Sequence, residues 1–309
     1  MTMLFNKDNN GSLELYELSG IFQASTKFLS IAAEIDAATR EVSSLVGEPV
    51  ISAAETIYSQ NVPSPDEKVL LDMVRRPIAY LAIGMHARLS GLSHGETGRK
   101  NKVDDNEKIA FQWQIDRDDQ ELRERYLRAL DTLISYLRFT GNTQWSESDT
   151  ARLTDLSIVK DIAQLEAVYP IEHSWYTFYM VLPLIIEAQN SRIINLVGES
   201  RMEALIEGTA SEAVATPARR AAILRAMITA AERWSLSIFP VAVARQFAPS
   251  YQGAKEKSAA TIEEIKWSLG LLRKQLEDAE RDVKRAVAEY SPSETLFPKN
   301  DPENKFFTV

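Results

Sequence analysis

The sequence predicts a mainly α-helical protein made of two tandem homologous helical bundles, with a projecting β-hairpin or arm and an extended C-terminal tail. The first observation is an internal echo: Leu45-Val46-Gly47-Glu48 returns as Leu196-Val197-Gly198-Glu199 about 150 residues later. Around it, Ile35, Asp36, Ala37, Val42 and Leu45 fall on Ile186, Glu187, Ala188, Ile193 and Leu196. Further on, Ser64-Pro65 matches Thr216-Pro217, and Trp113, Ile115 and Leu122 match Trp267, Leu269 and Leu276. A repeat this long points to duplication of a whole domain, because solenoid units run to only about 20–50 residues. The second observation is apolar spacing of three and four residues through most of the chain. The third is a proline-broken terminus that no helix can continue.

The elements follow in order. Lys27 to Leu45 places Phe28, Ile31, Ala32, Ile35, Ala38 and Val42 on one helical face, and Gly47 with Pro49 stops it. Ile51 to Tyr58 reads as a short helix, and residues 61–65 as the loop after it. Ser64, Pro65 and Glu67 form a helix start, since the hydroxyl accepts from an orphan amide and proline is harmless in the first turn. That helix runs to about Leu92, with Pro77 as an expected kink. Between Ser93 and Gln112 the period changes, and Thr97 to Val103 with Lys108 to Phe111 read as the strands of a hairpin or extended arm. Ile115 to Phe139 is the next long helix.

The second copy repeats the order over Trp175 to Leu196, Met202 to Ile206, Pro217 to Phe247 and Thr261 to Tyr290, with bends expected at Pro183 and Pro240. Its arm shortens to Ala248 to Ser258. Residues 1–145 therefore form the first bundle, with the arm over about 93–112. Residues 146–290 form the second and 291–309 a docking tail. Phe297, Phe306, Phe307 and Val309 make that tail apolar on a polar tether, which suits either docking on another subunit as an added strand or packing onto its own domain.

At 309 residues the chain can bury two cores, and with no cysteine it holds no disulfide, thiolate metal site or cysteine nucleophile. No secretory signal or membrane span is legible. A net charge of -9 argues against a sequence-independent DNA binder. His86, His94 and His173 are scattered, and no phosphate loop, dinucleotide fingerprint or nucleophile elbow occurs, so neither cofactor nor catalytic residue is expected. Carboxylate pairs such as Glu121/Glu124 and Glu277/Glu280 are interleaved with arginines and read as solvated faces. One motif stands apart. Asn6 to Glu17 matches a calcium loop, with Asn6, Asp8, Asn10 and Glu17 as oxygen ligands and Gly11 at the turn, although the segment before it is too short for an entering helix. The other reading is a polar turn that starts a helix.

Phe178 to Leu205, with Leu182-Pro183, Ile186 and Leu196-Val197-Gly198, resembles the opening helices of head-tail connector or adaptor proteins of tailed bacteriophages. Lys108-Ile109-Ala110-Phe111-Gln112-Trp113-Gln114, leading into Tyr126 and Ala129-Leu130-Asp131, resembles a largely uncharacterised family encoded near capsid genes in phages and prophages of Bacteroides-type bacteria. That similarity extends over most of the chain, including Lys305-Phe306-Phe307. The resemblance implies a virion protein with no catalytic residue, assembled in the bacterial cytoplasm into a ring, commonly a dodecamer. It implies the portal protein on one side, a tail or stopper protein on the other, and DNA passing through without sequence-specific binding. Arg99, Lys100, Lys102 and Lys108 of the arm and Phe306, Phe307 and Val309 of the tail are then the expected contact residues, an ordinary exposed loop being the other reading of the arm. The alternatives are a calcium-dependent binding module that uses the N-terminal loop, and a helical enzyme with an unfamiliar site.

Overall fold

The computed structural model describes residues 4–90, 92–95, 98–101, 111–233 and 262–289. The chain is mainly helical and divides into two compact units, Met1–Arg152 with Ser174–Thr177, and Leu153–His173 with Phe178–Val309.

In the first unit, α1 (Gly11–Ser19) ends at Gly20 in the left-handed conformation. A 3-10 turn at Phe28–Ser30 precedes α2 (Ala32–Val46). This helix begins later than its apolar pattern suggested, because Phe28 turns aside to lay its ring against Gly11. Ile35, Ala38, Val42 and Val46 form the buried face of α2. After Gly47 the chain enters α3 (Glu48–Ser59), and the Ser43 hydroxyl donates to the Glu48 carboxylate across the corner at 2.7 Å. Helix α4 (Pro65–Ser90) opens with a reciprocal cap: the Glu67 amide donates to the Ser64 hydroxyl at 3.3 Å, and the Ser64 amide donates to the Glu67 carboxylate at 2.8 Å. The Ser64 amide holds the Glu67 carboxyl below its usual range.

Strands β1 (Leu92–Gly95) and β2 (Gly98–Asn101) pair antiparallel, with Leu92 opposite Asn101 and Gly95 opposite Gly98. The pairing lies earlier in the chain than the two strand segments read from the sequence. Residues 102–110 lie outside the described residues. Helix α5 (Gln112–Phe139) packs against α4: Leu122, Tyr126, Leu130, Leu133 and Leu137 meet Leu71, Val74, Ile78 and Ala82 in the core.

Short helices α6 (Thr143–Ser146) and α7 (Asp149–Leu156) follow, each opened by a side-chain cap. Asn142 accepts the Trp145 amide at 2.9 Å and Ser148 accepts the Ala151 amide at 3.1 Å. Such caps contribute about 1 kcal/mol apiece, which suffices for one or two turns beside a core.

The second unit adds α8 (Ile162–Glu166) and the larger part of α9 (Trp175–Ala188), which passes through a π-helical turn at Gln189–Ile193 into α10 (Ile194–Val197). The turn re-aims Gln189 inward. Its buried amide accepts from Ile158 N–H at 3.0 Å and donates to the Leu156 carbonyl at 2.6 Å. After Gly198 come α11 (Glu199–Glu207) and α12 (Glu212–Arg233). Pro217 does not open α12 but sits inside it, because the Ser211 hydroxyl accepts the Ala213 amide at 3.4 Å and starts the helix one turn earlier. Residues 234–261, which carry the predicted bend at Pro240 and the segment Ala248 to Ser258, lie outside the described residues. Helix α13 (Ile262–Glu289) packs on α12 through Leu272, Leu276, Ala279, Val283 and Ala286, spaced by four and three.

The echoed tetrapeptide has one conformation in both units. Gly47 has φ 93°, ψ 143° and Gly198 has φ 86°, ψ 160°. Each glycine ends one helix and begins the next, donating its amide to the carbonyl four residues back, Ser43 at 2.8 Å and Ile194 at 2.8 Å. This region of backbone space is essentially closed to residues with a Cβ. Replacing Gly198 by alanine is expected to cost about 1–3 kcal/mol. Gly47→Ala should cost more, since its new Cβ would lie 2.8 Å from Ser148 Cβ whereas nothing lies within 4 Å at Gly198. Urea unfolding of the two variants measures the order, and equal losses would mean that Ser148 yields without strain.

Candidate functional site

The residues predicted to bind calcium do not form a calcium loop. Asn6 Oδ1 accepts the Gly11 amide at 3.0 Å, residues Lys7–Asn9 make a 3-10 turn, and α1 already starts at Gly11. Glu17 therefore projects from a helix, and Asp8, Asn10 and Glu17 are exposed rather than converging. Gly11 is needed for a different reason: a Cβ there would lie 2.3 Å from the Phe28 ring. Among the described residues no group of three or more acidic or histidine side chains is placed to hold a metal.

The same segment is tied down by a buried cluster. Arg75, on α4, pairs with Glu14 and lies over the rings of Phe5, 4.7 Å from the centroid, and Tyr58, 5.1 Å away. The Tyr58 hydroxyl donates to Glu14 at 3.0 Å, and Lys7 Nζ donates to the carbonyls of Tyr58 at 3.1 Å and Gln60 at 2.6 Å, capping the end of α3. Burial, reinforced by the Glu14 charge, raises the Tyr58 phenol above its ordinary range. These contacts hold the N-terminal segment on the first unit, and Arg75 Nε is buried there without a hydrogen-bond partner.

Arg99 and Lys100 lie on β2, opposite His94 and Ser93. Lys102 and Lys108 of the arm, and Phe297, Phe306, Phe307 and Val309 of the tail, lie outside the described residues. His86 sets its ring edge towards Phe22 with Nδ1 4.0 Å from Glu34, a half-buried position. His173 is exposed and pairs with Glu166 at 2.6 Å.

Two features of the first unit were not read from the sequence. A cavity of about 270 Å³ opens between α2, α4 and α5, lined in part by Glu41, Tyr80, Arg88, Asp119, Tyr126 and Tyr176. Arg88 donates to Asp119 at 3.1 Å and the Tyr126 hydroxyl to Glu41 at 3.3 Å. Burial and then the Glu41 charge raise both the Tyr126 and Tyr176 phenols, so each stays protonated. Beside the cavity, Asp131 on α5 accepts the Tyr176 amide at 2.9 Å and the Ser174 hydroxyl at 3.4 Å, holding Ser174–Thr177 on this unit. Burial pushes the Asp131 carboxyl up to about 6, against the lowering pull of those bonds. No local pattern announces such a contact, because the partners are more than forty residues apart.

Large apolar side chains are exposed where the two longest helices begin. Phe111, Trp113 and Ile115 are 69%, 57% and 42% exposed at the start of α5, and Trp267 and Leu271 are 74% and 46% exposed on α13. Trp113 and Trp267 are matched positions of the echo. No helix among the described residues is long and apolar enough to cross a membrane.

Residues 43–154, from the end of α2 into α7, match the model of a family of unknown function, DUF6712. The chain is similar to that family over most of its first unit, and the match carries no activity with it. No curated protein and no solved structure matches the chain.

Two outcomes follow from the site geometry. Millimolar calcium is expected to leave the thermal unfolding of the chain unchanged, and a calcium-dependent rise in Tm would contradict the loop geometry. For Asp131, the raised pKa means that the folded chain keeps a proton the unfolded chain releases. Its contribution to stability is fully present below 3.8 and is lost as pH rises through about 6. Asp131→Asn keeps an acceptor for Tyr176 and removes the titration. The difference in Tm between wild type and variant should therefore vary with pH inside that window and level off outside it; a constant difference would contradict the assignment.

Proposed function

We propose that this chain is a structural connector of a tailed-bacteriophage virion, a duplicated helical module that forms a ring below the portal and links it to the tail. The observation that carries this reading is the repetition of one design in both units: a helix, a glycine corner, a second helix, then a long pair whose last members, α5 and α13, have 28 residues each. A scaffold that repeats itself and spends the positions its halves share on corners and packing is suited to presenting surfaces. The resemblance of Phe178 to Leu205 and of Lys108 to Gln114 to connector families supplies the identity of the neighbours. The acidic balance of -9 suits a channel wall that repels DNA phosphates. The arm that continues β1 and β2, and the apolar tail, are the parts of this reading that grip other subunits.

The test is direct. Full-length chain, mixed with the portal protein encoded beside it, should give ring-shaped particles in negative-stain images. Deleting Pro298 to Val309 should abolish attachment to the portal while leaving the circular dichroism spectrum and Tm unchanged. Attachment that survives the deletion would remove the tail from the contact, and failure of the intact chain to bind any portal ring would remove the reading itself.

A further inference from the structure

We propose that the cavity between α2, α4 and α5 is a binding site for a small uncharged aromatic molecule whose polar edge both donates and accepts hydrogen bonds, the chemistry of a ring bearing a carboxamide. The inference goes beyond the connector reading and does not depend on it.

The first observation is Gly84, in the interior of α4 and on the cavity wall. Glycine weakens a helix interior relative to alanine, because it loses more backbone freedom on folding. Such a residue is explained where a side chain would collide or the backbone turns aside. Neither holds here: the backbone is helical, and an added Cβ would meet only Leu122 Cβ, at 3.8 Å, an ordinary contact. What the missing side chain does leave is open wall. The cavity of about 270 Å³ lies just below the range of about 300 Å³ upward in which drug-sized ligands are held, which suits a single ring with one substituent.

The lining selects the guest. Leu81, Met85 and Leu122 make part of it apolar, and Tyr80, Tyr126 and Tyr176 bring three rings, against which a flat aromatic face packs well. Two carboxylates, Glu41 and Asp119, stand against two guanidinium groups, Arg88 and Arg123, and Arg88 already engages Asp119. The site is thus formally neutral, and no net charge recruits an ion. Its unused hydrogen-bonding capacity lies at Glu41 and Tyr176. Glu41 Oε1 accepts one long bond, from the Tyr126 hydroxyl at 3.3 Å, while Glu41 Oε2 and the Tyr176 hydroxyl have no hydrogen-bond partner among the described residues. The Glu41 charge raises the Tyr176 phenol, so the two groups stand within electrostatic reach of each other. An acceptor and a donor so placed are answered by a group that offers the reverse pair, and a carboxamide does so with its N–H and C=O.

The experiment titrates full-length chain, carrying 13C-labelled methionine methyl groups, with benzamide. The Met85 methyl resonance, assigned by its loss in Met85→Leu, should move and saturate in the millimolar range expected of so small a ligand. Benzoate, which sets a second negative charge beside Glu41, should bind at least roughly tenfold more weakly. Tyr176→Phe should weaken benzamide by about three- to tenfold and leave fluorobenzene, the same ring without the amide, unchanged. The glycine has its own arm. Gly84→Ala should raise Tm, since it improves the helix without a collision, and Gly84→Leu should fill the cavity and abolish the Met85 shift while the circular dichroism spectrum stays that of wild type. A Met85 resonance that benzamide leaves in place, or benzoate that binds as tightly as benzamide, would overturn the assignment. So would equal benzamide affinity in Tyr176→Phe, or a lower Tm in Gly84→Ala, which would mean that the glycine serves packing. None of these outcomes touches the connector reading, which portal binding alone decides.

Discussion

Each unit depends on a glycine that only glycine can supply. At Gly47 and Gly198 the backbone leaves one helix and enters the next within a single residue, at φ near +90° and ψ near 150°. That pair of angles turns α2 into α3 and α10 into α11 without a loop, and each corner glycine donates its amide to the helix before it and accepts from the helix after it. The corner fixes where the following helices can pack: α4 lies against both α2 and α3 in the first unit, and α13 lies against α10 in the second. The shared Leu-Val-Gly-Glu signature is thus a geometric requirement. Valine closes the buried face of the first helix, glycine makes the turn, and glutamate stands in the first turn of the second helix, where a negative charge is favoured.

Around these corners the cores are ordinary aliphatic packing, interrupted by a few buried polar groups. Arg75 is nearly buried, and such a charge is tolerable only when it is paired; Glu14 supplies the counter-charge and the rings of Phe5 and Tyr58 supply its faces. Gln189 serves two backbone groups of the segment ahead of it, and Asp131 serves the first turn of α9. The common role is to tie an irregular stretch to a regular helix. The pocket beside Asp131 carries the Arg88–Asp119 pair and the raised phenols of Tyr126 and Tyr176.

Much of this was legible in the sequence. The long helices announced themselves by spacing, and the start of α4 by Ser64 and Glu67, because both signals are local. The calcium-like loop was misleading for the same reason: its ligand spacing is local, but Gly11 answers to Phe28, seventeen positions on, and the spacing alone holds no record of that ring. Helices α6, α7 and α8 were not legible, since one or two turns give too few positions for a period. Asp131 and Arg75 were invisible because each meets its partner across more than forty residues of chain. The matched tryptophans were visible as a coincidence of sequence, but their exposure could not be read there, since their spacing suits a core position equally well.

We propose that two copies of one helical module make up this chain, with the glycine corner at the centre of each. A cryo-electron microscopy map of the assembled particle, at a resolution that defines the backbone, tests this most directly. The account predicts that α2 to α5 superpose element for element on α10 to α13, with Gly47 and Gly198 in the same positive-φ turn. Halves with different helix order, or a corner glycine in helical geometry, would contradict it.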